Sequence, residues 1–399
     1  MRPPLSRIPL FLFFLCLSLQ VQGRGKDLKT TIVVSLDAMR WDYPIIYSTP
    51  NLDRIAREGV QSDMRSVYPA STFPSHWAMA TGLVPDHNGI VNTTFWDPET
   101  GEQYSKKAAG VRDNPHYFLG EPIWQTANRQ GVRTATIYWV GSDVAVNGMH
   151  PDNWEDYAKP LLSYQQRIDK ALGYLKMPKD ERPGLIMMYF DEPDASGHTY
   201  GPYHEKITQA VLEVDAVVGQ LLDGIKALGM SGKVNLIVVS DHGMASISPE
   251  RNINPRDYLK EEWMEHFVSG LPVSITSREG FRDSIYLALK DIPQLQVWKT
   301  EEMPQELQYG TSQREGDIIV APRISWQFSP APSTGGNHGY SPYDPEMMCI
   351  FRATGPDFKK GYIARQFHNV DLYPLLCHLL GIQGLEVDGK FERISHVLR

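Results

Sequence analysis

Three short apolar runs, at positions 31–36, 185–190 and 234–239, stop abruptly at acidic or metal-ligating residues, and nothing else in the chain restricts its fold as tightly. Each is one strand long, and the first and third are rich in β-branched residues. Apolar side chains at consecutive positions suit strands covered on both faces, the situation of a parallel sheet. Helical patterns lie between the runs, at 50–59 and 206–228, and the first closes on Gly59, a residue suited to a helix end. Alternation of strand and helix predicts an α/β fold with a central, mostly parallel sheet flanked by helices. Asp37 follows the first run, Asp191 to Asp194 the second, and Asp241-His242 the third. Ligands of open α/β sheets gather at the carboxyl ends of the strands, so these residues are expected on one rim. The stretch 250–333 is rich in Pro, Trp and Glu and is expected to be a less regular insertion or cap over the sheet.

The 399 residues, 42% of them hydrophobic, suffice for a sizeable core. Arg2 and Arg7, the apolar run from Ile8 to Leu19, and Gly23 together read as an export signal over 1–23, too short for a comfortable membrane span. That leaves 24–399 as a single catalytic unit with no membrane span, exported to a periplasmic, cell-surface or extracellular location. Loss of the two arginines would take the formal net charge from −8 to −10. An acidic protein has no general attraction for nucleic-acid polymers, so an anionic substrate must be held by local charge such as bound metal ions. Beyond the signal, Cys349 and Cys377 remain. They read equally well as a disulfide or as two buried thiols.

Asp194 and His198 stand four residues apart, Asp241 and His242 are adjacent, and His338 sits among glycines in Gly335-Gly336-Asn337-His338-Gly339. Carboxylate and imidazole together suit zinc. A lone His or Asp is usually structural or solvated. Three such clusters at strand ends in one chain favour a metal site. In Ser71-Thr72-Phe73-Pro74-Ser75-His76, Pro74 suits a first helical turn, so Thr72 falls at a helix N-terminus, where negative charge is favoured. Taken alone, Ser71 or Thr72 reads better as an ordinary cap.

These motifs occur in a fixed order with Gly82-Leu83-Val84-Pro85, Gly89, Glu192-Pro193-Asp194 and Asp241-His242-Gly243-Met244. From about Thr31 to its end the chain resembles the catalytic domain of the nucleotide pyrophosphatase/phosphodiesterase family of the alkaline phosphatase superfamily. The resemblance implies an alkaline-phosphatase-like sandwich and two Zn²⁺ ions. Asp37, Thr72, Asp241 and His242 would hold one ion, and Asp194, His198 and His338 the other. It further implies that Thr72 attacks the phosphorus of a nucleotide or other small phosphodiester and forms a covalent phosphothreonine. Phe73 and Tyr157, with Trp139 nearby, are expected around the base, and Tyr189 against sugar or phosphate. The family commonly carries an Asn that steadies a phosphoryl oxygen. Here Thr93 stands at that position and Asn92 precedes it, so either is a candidate donor. A sulfatase would need Cys or Ser and Arg where Thr72 and His76 stand. A phosphomonoesterase or lipid-head-group phosphodiesterase would share the metals and differ in the pocket. A non-catalytic metal-binding protein would be expected to lack one of these seven groups.

Overall fold

A computed structural model describes residues 29–399, so the export signal read at 1–23 lies outside the described residues. The main sheet runs in the order Tyr362–Ile363, Val60–Arg65, Cys349–Thr354, Val234–Val239, Thr30–Leu36, Leu185–Phe190, Thr134–Ile137, with Phe367–His368 also paired to Val60–Arg65. Thr30–Leu36 is parallel to both neighbours, and Thr134–Ile137 is parallel to Leu185–Phe190. Cys349–Thr354 runs antiparallel to both of its neighbours and makes the sheet mixed.

The double apolar pattern of the central strands has the expected use. Ile32, Val34, Met188, Leu236 and Val238 enter one hydrophobic cluster, while Val33, Met187, Ile237 and Val239 enter another on the opposite face. Alternate side chains of a strand point to opposite faces, so a strand apolar at every position serves two cores. Each fully buried Val, Ile or Met contributes about 1.5–3 kcal/mol from removal of apolar surface from water. The helix Glu205–Ala227 covers the first cluster with a stripe from Ile207 through Val211, Val214, Val218 and Leu221 to Ile225. That spacing of three and four residues is the helical period. The helix Pro50–Glu58 packs beside it and ends, as expected, at Gly59.

Register then fixes the rim. Leu36 pairs with Phe190 and Ser35 with Val239, so Asp37, Asp191 and Asp241 come to one level past the strand ends. The segment 250–333 is more regular than its composition suggests. It holds a four-stranded antiparallel sheet ordered Met264–Val268, Val273–Ser277, Ile318–Pro322, Leu295–Lys299, with the helix Arg282–Leu289. Ile275, Ile285, Leu289, Ile318 and Val320 form its own core. Strands of five residues carry only two or three inward positions each, too few for periodicity to stand out among Pro, Trp and Glu. Cys349 and Cys377 are separate buried thiols. No helix among the described residues is long and apolar enough to cross a membrane.

Candidate active site

All seven residues expected as metal ligands meet at the rim. Asp194 and His198 lie on one turn of the helix Asp194–Tyr200, with His198 Nε2 3.5 Å from Asp194 Oδ1. His338 arrives on the short strand Gly335–Asn337 and the residue after it, bringing its Nε2 to 3.1 Å from His198 Nε2 and 3.6 Å from Asp194 Oδ1. The glycines make this approach possible. A Cβ on Gly335, whose φ is +104°, would lie 2.2 Å from the His198 carbonyl oxygen, and one on Gly336 2.6 Å from that of Gly197. Beside this group, His242 Nε2 is 3.2 Å from Asp37 Oδ1, 3.2 Å from Asp241 Oδ2 and 3.1 Å from Thr72 Oγ1. The His242 and His338 rings stack with centroids 3.6 Å apart, so the two groups adjoin.

The donor chemistry fits metal ions. Each histidine turns Nδ1 to a backbone carbonyl: His198 to Gly336, His242 to Gly243, His338 to Ala70. A carbonyl only accepts, so the proton of each neutral ring sits on Nδ1 and the Nε2 lone pair faces the cluster. Asp37 Oδ1, Asp194 Oδ1 and Asp241 Oδ2 are buried with no hydrogen-bond partner. Three orphaned carboxylate oxygens and three imidazole lone pairs repel one another unless cations lie among them. Ligands about 2.0–2.1 Å from a zinc ion in a tetrahedron stand roughly 3.3–3.4 Å apart. The spacings above, 3.1–3.6 Å, match.

Electrostatics of the protein alone say the same. Burial, then Asp241 and Asp194, push the Asp37 carboxyl well above the usual range. Burial works against the Asp241 charge too, but His242 and His76 outweigh it and hold that group low. His338 is driven well below the ordinary imidazole value by burial, then by His242, His198 and Lys106. It is therefore neutral at physiological pH, the state a metal ligand needs.

Thr72 opens the helix Thr72–Thr81, as its place before Pro74 predicted. Neither hydroxyl serves as the alternative cap: Ser71 is the N-cap but makes no side-chain cap bond, and Thr72 Oγ1 faces His242. His76, one turn on, is fully buried between Ser35 Oγ at 2.8 Å and the Thr72 carbonyl at 2.8 Å, with Asp241 3.4 Å away. It braces the turn that carries Thr72 against the sheet, a role invisible in sequence because its partners come from three separate elements.

A cavity of about 250 Å³ opens beside Thr72, and Phe73, Trp139, Tyr157 and Tyr189 all line it together with Asp37 and Asp194. Tyr157 is 39% exposed at its mouth, whereas Trp139 is buried and hydrogen-bonds the His76 carbonyl through Nε1. Tyr189 donates its hydroxyl to Asp37 Oδ2 at 2.5 Å, so its polar end is engaged with a carboxylate of the cluster. Asn92 and Thr93 do not line the cavity. The Asn92 amide faces the Leu271 and Pro272 carbonyls at 3.4 Å each, and its oxygen accepts from the Thr93 N–H. The segment 250–333 thus engages one of the two side chains expected to face phosphate. Sequence reasoning missed Lys106, Arg112 and Asp143, which also line the cavity. Asp143 lies in the Trp139-to-Asp143 segment; Lys106 and Arg112 gave no signal beyond ordinary loop charge.

Comparison with known proteins agrees with this geometry. Residues 31–341 match the family described as type I phosphodiesterase / nucleotide pyrophosphatase. Human ectonucleotide pyrophosphatase/phosphodiesterase family member 1 is 32% identical over 94% of this chain and 42% of its own length. Venom phosphodiesterase 2 of Crotalus adamanteus is 30% identical over 94% of this chain and 48% of its own. The chain therefore spans less than half the length of the curated relatives it matches. Murine ectonucleotide pyrophosphatase/phosphodiesterase 5, solved as an inactive threonine-to-alanine variant in complex with AMP, superposes with a TM-score of 0.88. It shares 31% identity over 93% of this chain and 100% of that one. With the family matched across most of its length and the fold matched over 93% of it, the chain belongs to the type I phosphodiesterase / nucleotide pyrophosphatase family.

Proposed function

We propose that the protein is an exported, zinc-dependent hydrolase that cleaves phosphodiester or pyrophosphate bonds of nucleotides and releases nucleoside 5′-monophosphates. The observation that carries this reading is the Thr72 hydroxyl, 3.1 Å from His242 Nε2, which itself stands 3.2 Å from each of two carboxylate oxygens without hydrogen-bond partners, those of Asp37 and Asp241. Asp37, Thr72, Asp241 and His242 would hold one Zn²⁺; Asp194, His198 and His338 would hold the second. Bound there, the ions lower the pKa of an alcohol or water and neutralise phosphoryl charge. With three aspartates ionised, the four positive charges of two zinc ions leave one in excess for a phosphate anion.

The chain's own residues do the rest. Thr72 Oγ attacks phosphorus, the new P–O bond to threonine forms as the bond to the leaving group breaks, and water then displaces threonine to release the monophosphate. The helix start aids this step, because its first intrahelical bond is Ser75 N–H to Ser71 C=O and Pro74 has no N–H. The N–H groups of Thr72 and Phe73 are thus free of intrahelical acceptors and favour a phosphoryl oxygen. Phe73 and Tyr157 offer apolar faces to a base, with Trp139 filling the wall behind. Residues 1–23 as export signal and 24–399 as catalytic unit, with 250–333 as an insertion, complete the reading.

The test is a substrate panel with product identification: dinucleoside polyphosphates, nucleoside triphosphates, cyclic dinucleotides, a choline phosphoester and a simple monoester. Nucleoside 5′-monophosphate from the nucleotides supports the proposal. Exclusive turnover of the choline ester or the monoester would replace it with a lipid-head-group phosphodiesterase or a phosphomonoesterase.

A further inference from the structure

We propose that Lys106 is the residue that meets a non-bridging oxygen of the bound phosphoryl group, taking the place left by Asn92 and Thr93. The inference rests on the phosphodiesterase reading above and extends it to a residue that carried no signal in the sequence.

Four observations converge. The Lys106 main-chain N–H donates to the Thr93 carbonyl at 3.0 Å, so Lys106 lies directly beside the position where a neutral donor was expected. Its side chain, unlike those of Asn92 and Thr93, lines the cavity next to Thr72. Its ammonium stands 5.8 Å from the centre of the Phe73 ring. Phe73 follows Thr72 directly and both line the same cavity, so the ammonium stands over the space beside the Thr72 hydroxyl. Finally, the half-buried Lys106 has no carboxylate within 4.0 Å among the described residues. The other cations of the wall differ. Arg112 is engaged by Asp113 at 2.6 Å and Asp143 at 3.5 Å, and Lys107 is exposed at the rim.

An unpaired ammonium beside a cluster built to collect cations is electrostatically out of place, because like charges repel strongly where water is scarce. An anion between them reverses the sign of every term. A phosphoryl group on Thr72 is such an anion, and the charge it accumulates in the transition state would be met by the metals on one side and Lys106 on the other. Asn92, meanwhile, is free to fasten the inserted unit through Leu271 and Pro272.

The experiment compares wild type with Lys106→Met, which keeps the stem and removes the charge, and Lys106→Arg, which keeps the charge. Loss of one donor to a developing oxyanion lowers turnover by roughly 100-fold. Lys106→Met should therefore lose on that order in kcat/KM for a nucleotide ester and should weaken orthovanadate inhibition in parallel. Lys106→Arg should stay within about tenfold of wild type on the same scale. Binding of AMP and of adenosine, followed by calorimetry on the zinc-loaded protein, separates phosphate from base: Lys106→Met should weaken AMP and leave adenosine unchanged. Equal weakening of AMP and adenosine, or kcat/KM within twofold of wild type, overturns the proposal. Absence of hydrolysis by the wild type itself would refute the phosphodiesterase reading instead, and the AMP-against-adenosine comparison would still decide the role of Lys106.

Discussion

Replacing Tyr189 by Phe should loosen a metal ion without touching any ligand. The Tyr189 hydroxyl donates to Asp37 Oδ2 at 2.5 Å, and both residues are buried, at 8% and 1% exposure. Asp37 Oδ1 has no hydrogen-bond partner and lies 3.2 Å from His242 Nε2. One carboxylate oxygen is thus presented to the cluster while the other is anchored by the tyrosine. The variant removes the anchor and leaves no stranded donor, since Phe has none. A hydrogen bond to a charged group contributes about 1.5–3 kcal/mol, which converts to roughly 10- to 150-fold in an equilibrium constant. Loss of an outer partner of a metal ligand falls in a similar range, about 10- to 100-fold in affinity. The assay is zinc affinity by competition with a chromogenic chelator, alongside kcat and KM at saturating zinc. The expected result is weaker zinc binding of that size, with kcat restored to within a few-fold once zinc is in excess. Zinc affinity within twofold of wild type, with KM for the nucleotide raised, would refute this reasoning and return Tyr189 to the substrate-contact role expected from sequence.

Three further outcomes follow from the site and the core. Thr72→Ala should lower kcat by several orders of magnitude with an unchanged melting temperature, and Thr72→Ser should keep part of the activity; near-wild-type turnover by Thr72→Ala, measured on a chromogenic phosphodiester, would exclude it as nucleophile. Phe73→Ala and Tyr157→Ala should each lose about tenfold or more in efficiency on nucleotide esters, by the roughly 1–3 kcal/mol of base stacking, and little on a small ester without a base; equal losses on both substrates would make the rings structural. Glu315 is buried, has one carboxyl oxygen without a partner, and is held well above the usual range by burial and then by Asp86. A raised native pKa gives stability that is full below the unfolded value of about 4.3 and is lost as pH rises through the native one. Glu315→Gln should therefore raise the melting temperature at pH 8 more than at pH 5, and a pH-independent difference between variant and wild type would contradict the assignment.

What sequence could reach and what it could not divides along a physical line. Runs such as 31–36 announce themselves because burial on both faces leaves few polar positions, and their register then carries Asp37, Asp194 and Asp241 to one rim without further information. The Thr72–Thr81 helix was equally legible, since Pro74 restricts its first turn by covalent geometry alone. The four strands of the inserted unit were not, because each offers too few inward positions for a period to register. Bracing residues were hidden for another reason: His76 and Tyr189 act through atoms supplied by distant elements, and no local pattern encodes a partner 41 or 152 residues away.

The position of Asn92 sharpens the point. The family resemblance implied Asn92 or Thr93 as a donor to phosphate, and the backbone there does adjoin the cavity wall, since the Thr93 carbonyl accepts from the N–H of Lys106. Which side chain faces the cavity was decided by competition. The inserted unit presents two backbone carbonyls, of Leu271 and Pro272, to the Asn92 amide. A half-buried carbonyl left without a donor is destabilising, so an amide that serves both is held away from the cavity. That constraint comes from a segment nearly 180 residues downstream. If Asn92 fastens the insertion rather than the phosphate, Asn92→Ala should lower thermal stability and leave kcat within a few-fold, whereas Lys106→Met should do the reverse. The two variants, measured side by side for melting temperature and turnover, separate fastening from catalysis. A large loss of kcat in Asn92→Ala at unchanged stability would place the amide back over the phosphate.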